Sequence, residues 1–204
     1  MVSGANGMPA NYDAEAVAEV MGLAFLRGPG DASSPAPRSG AQKGSPKLST
    51  GGFEGGVVIH VDGTPLRVVE ADPMAHRAPP PSPVFIEKAV ESGLPRSALR
   101  HVAQRLAGGE TAKVSALEWG VVPKTTLERR ETRLSPQESE RTERVARLFV
   151  HARRALGTEA EAREFMTTPH PELDGRSPLD VARTDLGTRR AERLLNALEY
   201  GLAL

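Results

Sequence analysis

The residue types that usually carry out chemistry are few and scattered in this chain. It has 5 histidines and no cysteine, and no two histidines have a metal-binding spacing. Neither a phosphate-binding glycine loop nor a nucleophile elbow is present. The pair closest to a catalytic site is His60 with Asp62, and a polar turn in a short hairpin explains that pair more simply. We therefore expect no enzyme activity, no metal and no cofactor.

Length and composition limit the remaining classes of protein. The chain has 204 residues, of which 39% are apolar, enough for one or two domains with a modest core. It has no run of about 18 apolar residues, and no basic segment followed by an apolar one at its N-terminus. We therefore expect a cytoplasmic protein without a membrane span.

Positive charge is concentrated in one short region. Residues 1–93 carry 7 basic and 10 acidic side chains, residues 94–135 carry 8 and 4, and residues 136–204 carry 11 and 12. The whole chain is neutral, but attraction to phosphate acts locally, so a basic face on a neutral protein can contact DNA.

The N-terminal part predicts little independent structure. Apolar spacing over residues 12–26 predicts a short amphipathic helix. From residue 28 to residue 56, 17 of 29 residues are Gly, Pro or Ser. That composition predicts a disordered linker, because it cannot bury enough apolar surface to offset the entropy of ordering.

A small hairpin and a proline cluster complete this N-terminal extension. Residues 57–61 and 66–69 are rich in valine and flank an Asp62-Gly63 turn signal, which predicts a hairpin. The cluster at residues 79–83 contains four prolines and one serine. We place the domain boundary there.

Beyond that boundary the pattern becomes helical. Helical spacing begins at Val84, and Gly93 and Gly108 should end the first two helices. A segment from Lys113 to Gly120 is then joined by a tight turn to a second segment, from Lys124 to Thr132. Two short helices about a tight turn predict a helix-turn-helix.

The second of these segments would present a basic face. Its polar side would offer Lys124, Thr125, Glu128, Arg129 and Arg133. In a major groove, arginine can read guanine edges and lysine or threonine can hold phosphates. The alternative is a helical hairpin whose basic face is only solvated. Trp119 is expected in the core.

The strongest helix signals lie in the last part of the chain. Ser135, with a glutamate three residues later, forms a capping box ahead of an apolar stripe that continues to Gly157. Ser177 repeats this capping pattern. We expect Gly187 to end that helix and Thr188 to begin the last one.

The chain closes on an apolar tail, Tyr200-Gly201-Leu202-Ala203-Leu204. Chain ends are usually frayed and polar, so an apolar end should dock. It can fold back on its own bundle or enter a partner's cleft, and both alternatives stay open at this point. Tyrosine is a favoured interface anchor, and Gly201 would permit a sharp bend.

Five motifs, taken together in their order, closely resemble the Xre/MbcA/ParS antitoxins over residues 84–204. They are Thr126-Leu127-x-Arg129-Arg130, Leu134-Ser135-Pro136-x-Glu138-Ser139-x-Arg141, Ala162-x-x-Phe165-Met166-x-x-Pro169, Leu173-x-Gly175-x-Ser177-Pro178-Leu179-Asp180 and Leu195-x-x-x-x-Tyr200-Gly201. The resemblance implies the antitoxin of a type II toxin–antitoxin pair. Its toxin would have a RES domain that consumes NAD or transfers ADP-ribose from it.

The resemblance also implies an all-α fold in three parts. Residues 1–83 are the N-terminal extension and linker, residues 84–134 an Xre-like helix-turn-helix domain, and residues 135–204 a toxin-binding helical domain. Members of the family are usually oligomeric, so we expect a dimer within a hetero-oligomeric complex with the toxin.

Two sets of site residues follow from the resemblance. The toxin-binding set is Arg193, Asn196, Ala197, Glu199, Tyr200, Gly201, Leu202 and Leu204. The set for promoter DNA is Lys124, Thr125, Thr126, Arg129, Arg130 and Arg133.

We therefore expect an antitoxin that neutralises a RES toxin by covering its NAD pocket with the C-terminal segment and that also regulates its own promoter. Two alternatives stay open. The chain could be a plain helix-turn-helix regulator without a toxin partner, or a small enzyme with an unrecognised pocket.

Overall fold

The computed structural model describes residues 12–25, 56–61, 64–70 and 82–201. This part is mostly helical and confirms the predicted all-α class. Its α-helices are α1 (Ala14–Val20), α2 (Pro83–Glu91), α3 (Arg96–Ala107), α4 (Thr111–Val121), α5 (Lys124–Leu127), α6 (Pro136–Leu156), α7 (Glu159–Thr167), α8 (Pro178–Val181) and α9 (Asp185–Glu199). A short 3-10 turn, Pro171–Leu173, lies between α7 and α8.

A small antiparallel sheet accompanies the helices. Its strands are β1 (Ala24–Phe25), β2 (Gly56–Val61) and β3 (Thr64–Glu70), in the order β1-β2-β3. The predicted hairpin is confirmed as β2 and β3, whereas the pairing of β1 with β2 was not predicted. The turn at residues 62–63 and nearly all of the predicted linker lie outside the described residues.

Local capping explains where several helices begin and end. The Ser135 hydroxyl accepts a hydrogen bond from the Glu138 amide, and the Glu138 carboxylate accepts one from the Ser135 amide, so the predicted capping box is confirmed. Ser177 caps α8 through the amide of the residue three positions later. Gly157 ends α6 in the left-handed conformation, which glycine adopts without steric cost.

The last helix begins earlier than the sequence suggested, so the prediction that Gly187 ends a helix is wrong. Thr184 caps α9, and its hydroxyl accepts a hydrogen bond from the Gly187 amide. A Cβ on Gly187 would lie 2.1 Å from the Val181 carbonyl oxygen. Gly187 therefore lies inside α9, where the absence of a side chain lets α9 approach α8 closely.

The second segment of the predicted helix-turn-helix is shorter than expected. It forms α5, which ends at Leu127, so the prediction of a helix to Thr132 is wrong. After α5 the chain pairs with the segment before α3: the Arg96 amide donates to the Thr132 carbonyl, and the Leu134 amide donates to the Leu94 carbonyl. These extended pairings are incompatible with a continuing helix.

One buried apolar cluster joins α1 to the helices that follow residue 82. Val17 and Val20 of α1 and Met21 just after it belong to this cluster, together with Phe149 of α6 and Leu195 of α9. The predicted boundaries after residues 83 and 134 therefore do not divide this core. None of the helices in the described part is long and apolar enough to cross a membrane.

Candidate functional site

The residues predicted to contact DNA differ in their exposure and in their contacts. Lys124, Thr125 and Arg129 are exposed and Thr126 is half-buried. The Lys124 ammonium lies 5.0 Å from the centre of the Trp119 ring, which is a cation–π distance. Trp119 is 41% exposed, so the prediction that it belongs to the core is wrong.

The other two residues of that set make contacts that stabilise the fold. The guanidinium of Arg130 donates three hydrogen bonds of 3.0 to 3.2 Å to the Glu138 carboxylate, and the side chain of Glu138 is only 7% exposed. Burial opposes ionisation of Glu138, but the hydrogen bonds from Arg130 and Ser135 outweigh it and lower its pKa. Arg133 donates to the Ser92 carbonyl.

In the last part of the chain, α6 and α9 run parallel. The Arg147 guanidinium of α6 lies 3.5 Å from the Glu192 carboxylate of α9. In the last turn of both helices, Arg154 donates to both carboxylate oxygens of Glu199, at 2.9 and 3.0 Å. These hydrogen bonds lower the pKa of Glu199. The two helices therefore end at the same end of the molecule, where the apolar tail begins.

The predicted toxin-binding residues occupy the end of α9. Arg193, Tyr200 and Gly201 are exposed, whereas Asn196 and Glu199 are half-buried. Ala197 is buried and offers little surface to a partner. Gly201 has a φ of +61°, in the left-handed region that favours glycine. Leu202 and Leu204 lie outside the described residues.

Tyr200 is the most exposed aromatic side chain in this part of the molecule. It is 62% exposed at the C-cap of α9, although Leu194 and Leu195 of the same helix are buried. Leu198 is also partly exposed. The buried stripe of α9 therefore gives way to an uncovered apolar end just before the tail.

A groove runs beside this end, between α1 and α9, and we call it the α1–α9 groove. Its volume is about 350 Å³. Its lining residues are Tyr12, Asp13 and Val17 from the α1 segment, Arg147, Val150, His151 and Arg154 from α6, and Glu192, Asn196 and Tyr200 from α9. The α6 residues follow helical spacing and form its floor. The segment around α1 was not predicted to take part in the site, because only tertiary packing brings it there.

A buried polar contact holds the start of the α1 segment on the floor of the groove. The Tyr12 hydroxyl donates to the Glu143 carboxylate at 3.0 Å, and Arg147 lies 3.8 Å from the same carboxylate. Burial raises the pKa of Glu143, of Glu192 and of the Tyr12 phenol. Burial and the charge of Arg154 lower the pKa of His151, so its imidazole is neutral at pH 7.

The groove has the chemistry of a binding surface. Its cations are paired with carboxylates, its imidazole is neutral, and two tyrosine rings line it. In the described part of the chain, no group of three or more His, Asp or Glu side chains is placed to hold a metal ion. Its exposed aromatic and carboxylate groups can anchor a partner.

Comparisons with known proteins bear on the C-terminal helices. No curated protein matches the chain. The model of one family matches residues 151–201, which include the end of α6 and all of α7, α8 and α9. The α2–α5 region lies outside this match. Residues 151–201 are thus similar to the antitoxin Xre/MbcA/ParS C-terminal toxin-binding domain, and this similarity supports an antitoxin role with a toxin as partner.

Proposed function

We propose that this protein is the antitoxin of a RES-domain toxin and neutralises it, without catalysis of its own, by covering the toxin's NAD pocket with residues 196–204. The observation that carries the proposal is Tyr200, an exposed aromatic side chain at the end of a well-packed helix within the matched toxin-binding domain. Gly201, which follows Tyr200, has a φ of +61°.

Inhibition would then result from burial and displacement. A stable protein complex buries about 1,600 Å² in total, and a few anchors supply most of the binding energy. Tyr200 suits an anchor because it buries a large rigid area with few rotamers. The segment competes with NAD for the same space, so its affinity for the toxin sets the degree of protection.

The test is deletion of Tyr200–Leu204 in cells that also express the proposed RES-domain toxin. We expect loss of protection with no change in thermal unfolding, because Tyr200 and Gly201 contribute little to the core. Leu186→Ala is the matched control: Leu186 is 68% exposed at the opposite end of α9, and its removal should leave protection intact. Full protection by the truncated protein would exclude this mechanism.

A second activity, repression of its own promoter, is favoured by the exposed side chains of Lys124, Thr125 and Arg129. Lys124 also lies over the ring of Trp119. A one-turn α5 places few residues in a major groove, so phosphate contacts would dominate and binding would be strongly salt-dependent. We expect Arg129→Ala to weaken binding to promoter DNA and to reduce the salt slope by about 1.

Gel-shift assays across a salt series measure this effect. Arg189→Ala is the control, because Arg189 is exposed on α9, outside the α4–α5 region. Tight promoter binding without any toxin interaction would instead favour a plain DNA-binding regulator. Light scattering on the complex with toxin tests the proposed dimer within a hetero-oligomer.

A further inference from the structure

Charged side chains of both signs line the α1–α9 groove. Its lining carboxylates belong to Asp13 and Glu192, and its lining guanidinium groups belong to Arg147 and Arg154. Arg147 lies 3.8 Å from Glu143 and 3.5 Å from Glu192, and Arg154 pairs with Glu199, so both cations already have carboxylate partners.

Asp13 is the carboxylate that is available to a partner. One of its oxygens, Oδ1, accepts a hydrogen bond from the Ala16 amide and so caps α1. Its side chain is exposed, and no cation in the described part of the chain forms an ion pair with it. By contrast, Glu143, Glu192 and Glu199 each have an arginine within 4.0 Å.

Two tyrosine rings line the same groove. Tyr12 precedes α1 and Tyr200 follows α9. An aromatic face attracts a guanidinium or ammonium group and also packs against the apolar stem of an arginine or lysine. Two rings, one available carboxylate and a volume of about 350 Å³ suit one such side chain.

We infer that the α1–α9 groove receives an arginine or lysine side chain of the toxin, which pairs with Asp13 and packs against Tyr12 and Tyr200. The inference rests on the proposed function. The toxin is the expected partner because five lining residues belong to the span that matches a toxin-binding domain. They are His151, Arg154, Glu192, Asn196 and Tyr200. The N-terminal segment, which lies outside that span, becomes part of the toxin-binding surface.

The test compares two charge removals on α1 in the full-length protein. Asp13→Asn removes the carboxylate charge but keeps a residue that caps helices equally well, so α1 should persist. Glu15→Gln removes an exposed charge from the first turn of the same helix, outside the groove. Affinity for the purified RES toxin is measured for both variants at low and high salt, and thermal unfolding is recorded for each.

We expect Asp13→Asn to bind the toxin about 10-fold more weakly at low salt, with a smaller loss at high salt, because rim charges act chiefly on association. Glu15→Gln should bind within about twofold of the parent protein. One arginine or lysine of the toxin should lose affinity on replacement by alanine in the parent background and lose nothing further beside Asp13→Asn.

The outcomes separate the two proposals. If the unmodified protein does not bind the RES toxin, the proposed function fails and the groove inference fails with it. If the unmodified protein binds tightly and Asp13→Asn behaves like Glu15→Gln, only the groove inference is overturned. The same conclusion follows if no cationic residue of the toxin is coupled to Asp13.

Discussion

The two predicted binding sites, in the α5 region and at the end of α9, differ in how their side chains contact the rest of the fold. Near α5, the side chain of Arg130 is 38% exposed and pairs with the buried carboxylate of Glu138. At the end of α9, the side chain of Tyr200 is 62% exposed. Residue type alone therefore does not identify a binding residue. A side chain that already pairs with a buried group of the fold is less available to a ligand than one that does not.

The largest effect on folding should come from Arg130→Ala. This substitution leaves the buried Glu138 carboxylate without its cation, and we expect a loss of about 3 kcal/mol in the free energy of unfolding. Its neighbour Arg129 is exposed, so Arg129→Ala should cost less than about 0.5 kcal/mol. Urea unfolding measures both. Equal losses would contradict the contrast between the inward and outward arginines.

Gly187→Ala should have the next largest effect. The added Cβ would lie 2.1 Å from the Val181 carbonyl oxygen, and we expect the forced shift to cost about 2 kcal/mol. Gly120→Ala is the matched control, since its Cβ would meet the Leu179 side chain at an ordinary 3.5 Å. It should stabilise α4 by up to about 1 kcal/mol, because alanine favours helix. Thermal unfolding distinguishes the two glycines.

A smaller effect should appear in the pH dependence of stability. The pKa of Glu138 is lowered below its usual 4.5 in the fold, so its ionised form contributes stability that is present above pH 4.5 and is lost as the pH falls through the lower folded value. We expect the stability difference between the parent protein and Glu138→Gln to shrink on acidification from pH 7 to pH 3. A stability difference that stays constant from pH 7 to pH 3 would show that ionisation of Glu138 does not contribute to stability.

The smallest effect on folding should come from Tyr200→Ala. Because the side chain is 62% exposed, the free energy of unfolding should change by less than about 0.5 kcal/mol. Affinity for the toxin should nevertheless fall strongly, as expected when an aromatic anchor is removed. Calorimetric binding and urea unfolding on the same preparation test both halves. A large loss of stability would show that Tyr200 belongs to the scaffold after all.

Features that depend on neighbouring residues could be predicted from the sequence. The capping box at Ser135, the cap at Ser177 and the left-handed ends at Gly108 and Gly157 all follow from contacts within a few residues. The predicted hairpin depends on the same kind of local signal.

Features that depend on distant contacts could not be predicted. Glycine commonly ends helices, so Gly187 was expected at a helix end. Only the close approach of α9 to Val181 explains its place inside a helix. Arg130 shows the sequence pattern of a DNA contact, and only the buried Glu138 explains its inward direction. Similarly, nothing near Tyr12 in the sequence indicates that it reaches Glu143.

The parallel course of α6 and α9 brings two helix C-termini together at one end of the molecule. Each helix carries roughly half an elementary negative charge there, from backbone carbonyls that lack intrahelical partners. Arg153 and Arg154 lie in the last turn of α6, but the last turn of α9 has no basic residue. The end of α9 therefore obtains its cation from the neighbouring helix, because Arg154 of α6 pairs with Glu199.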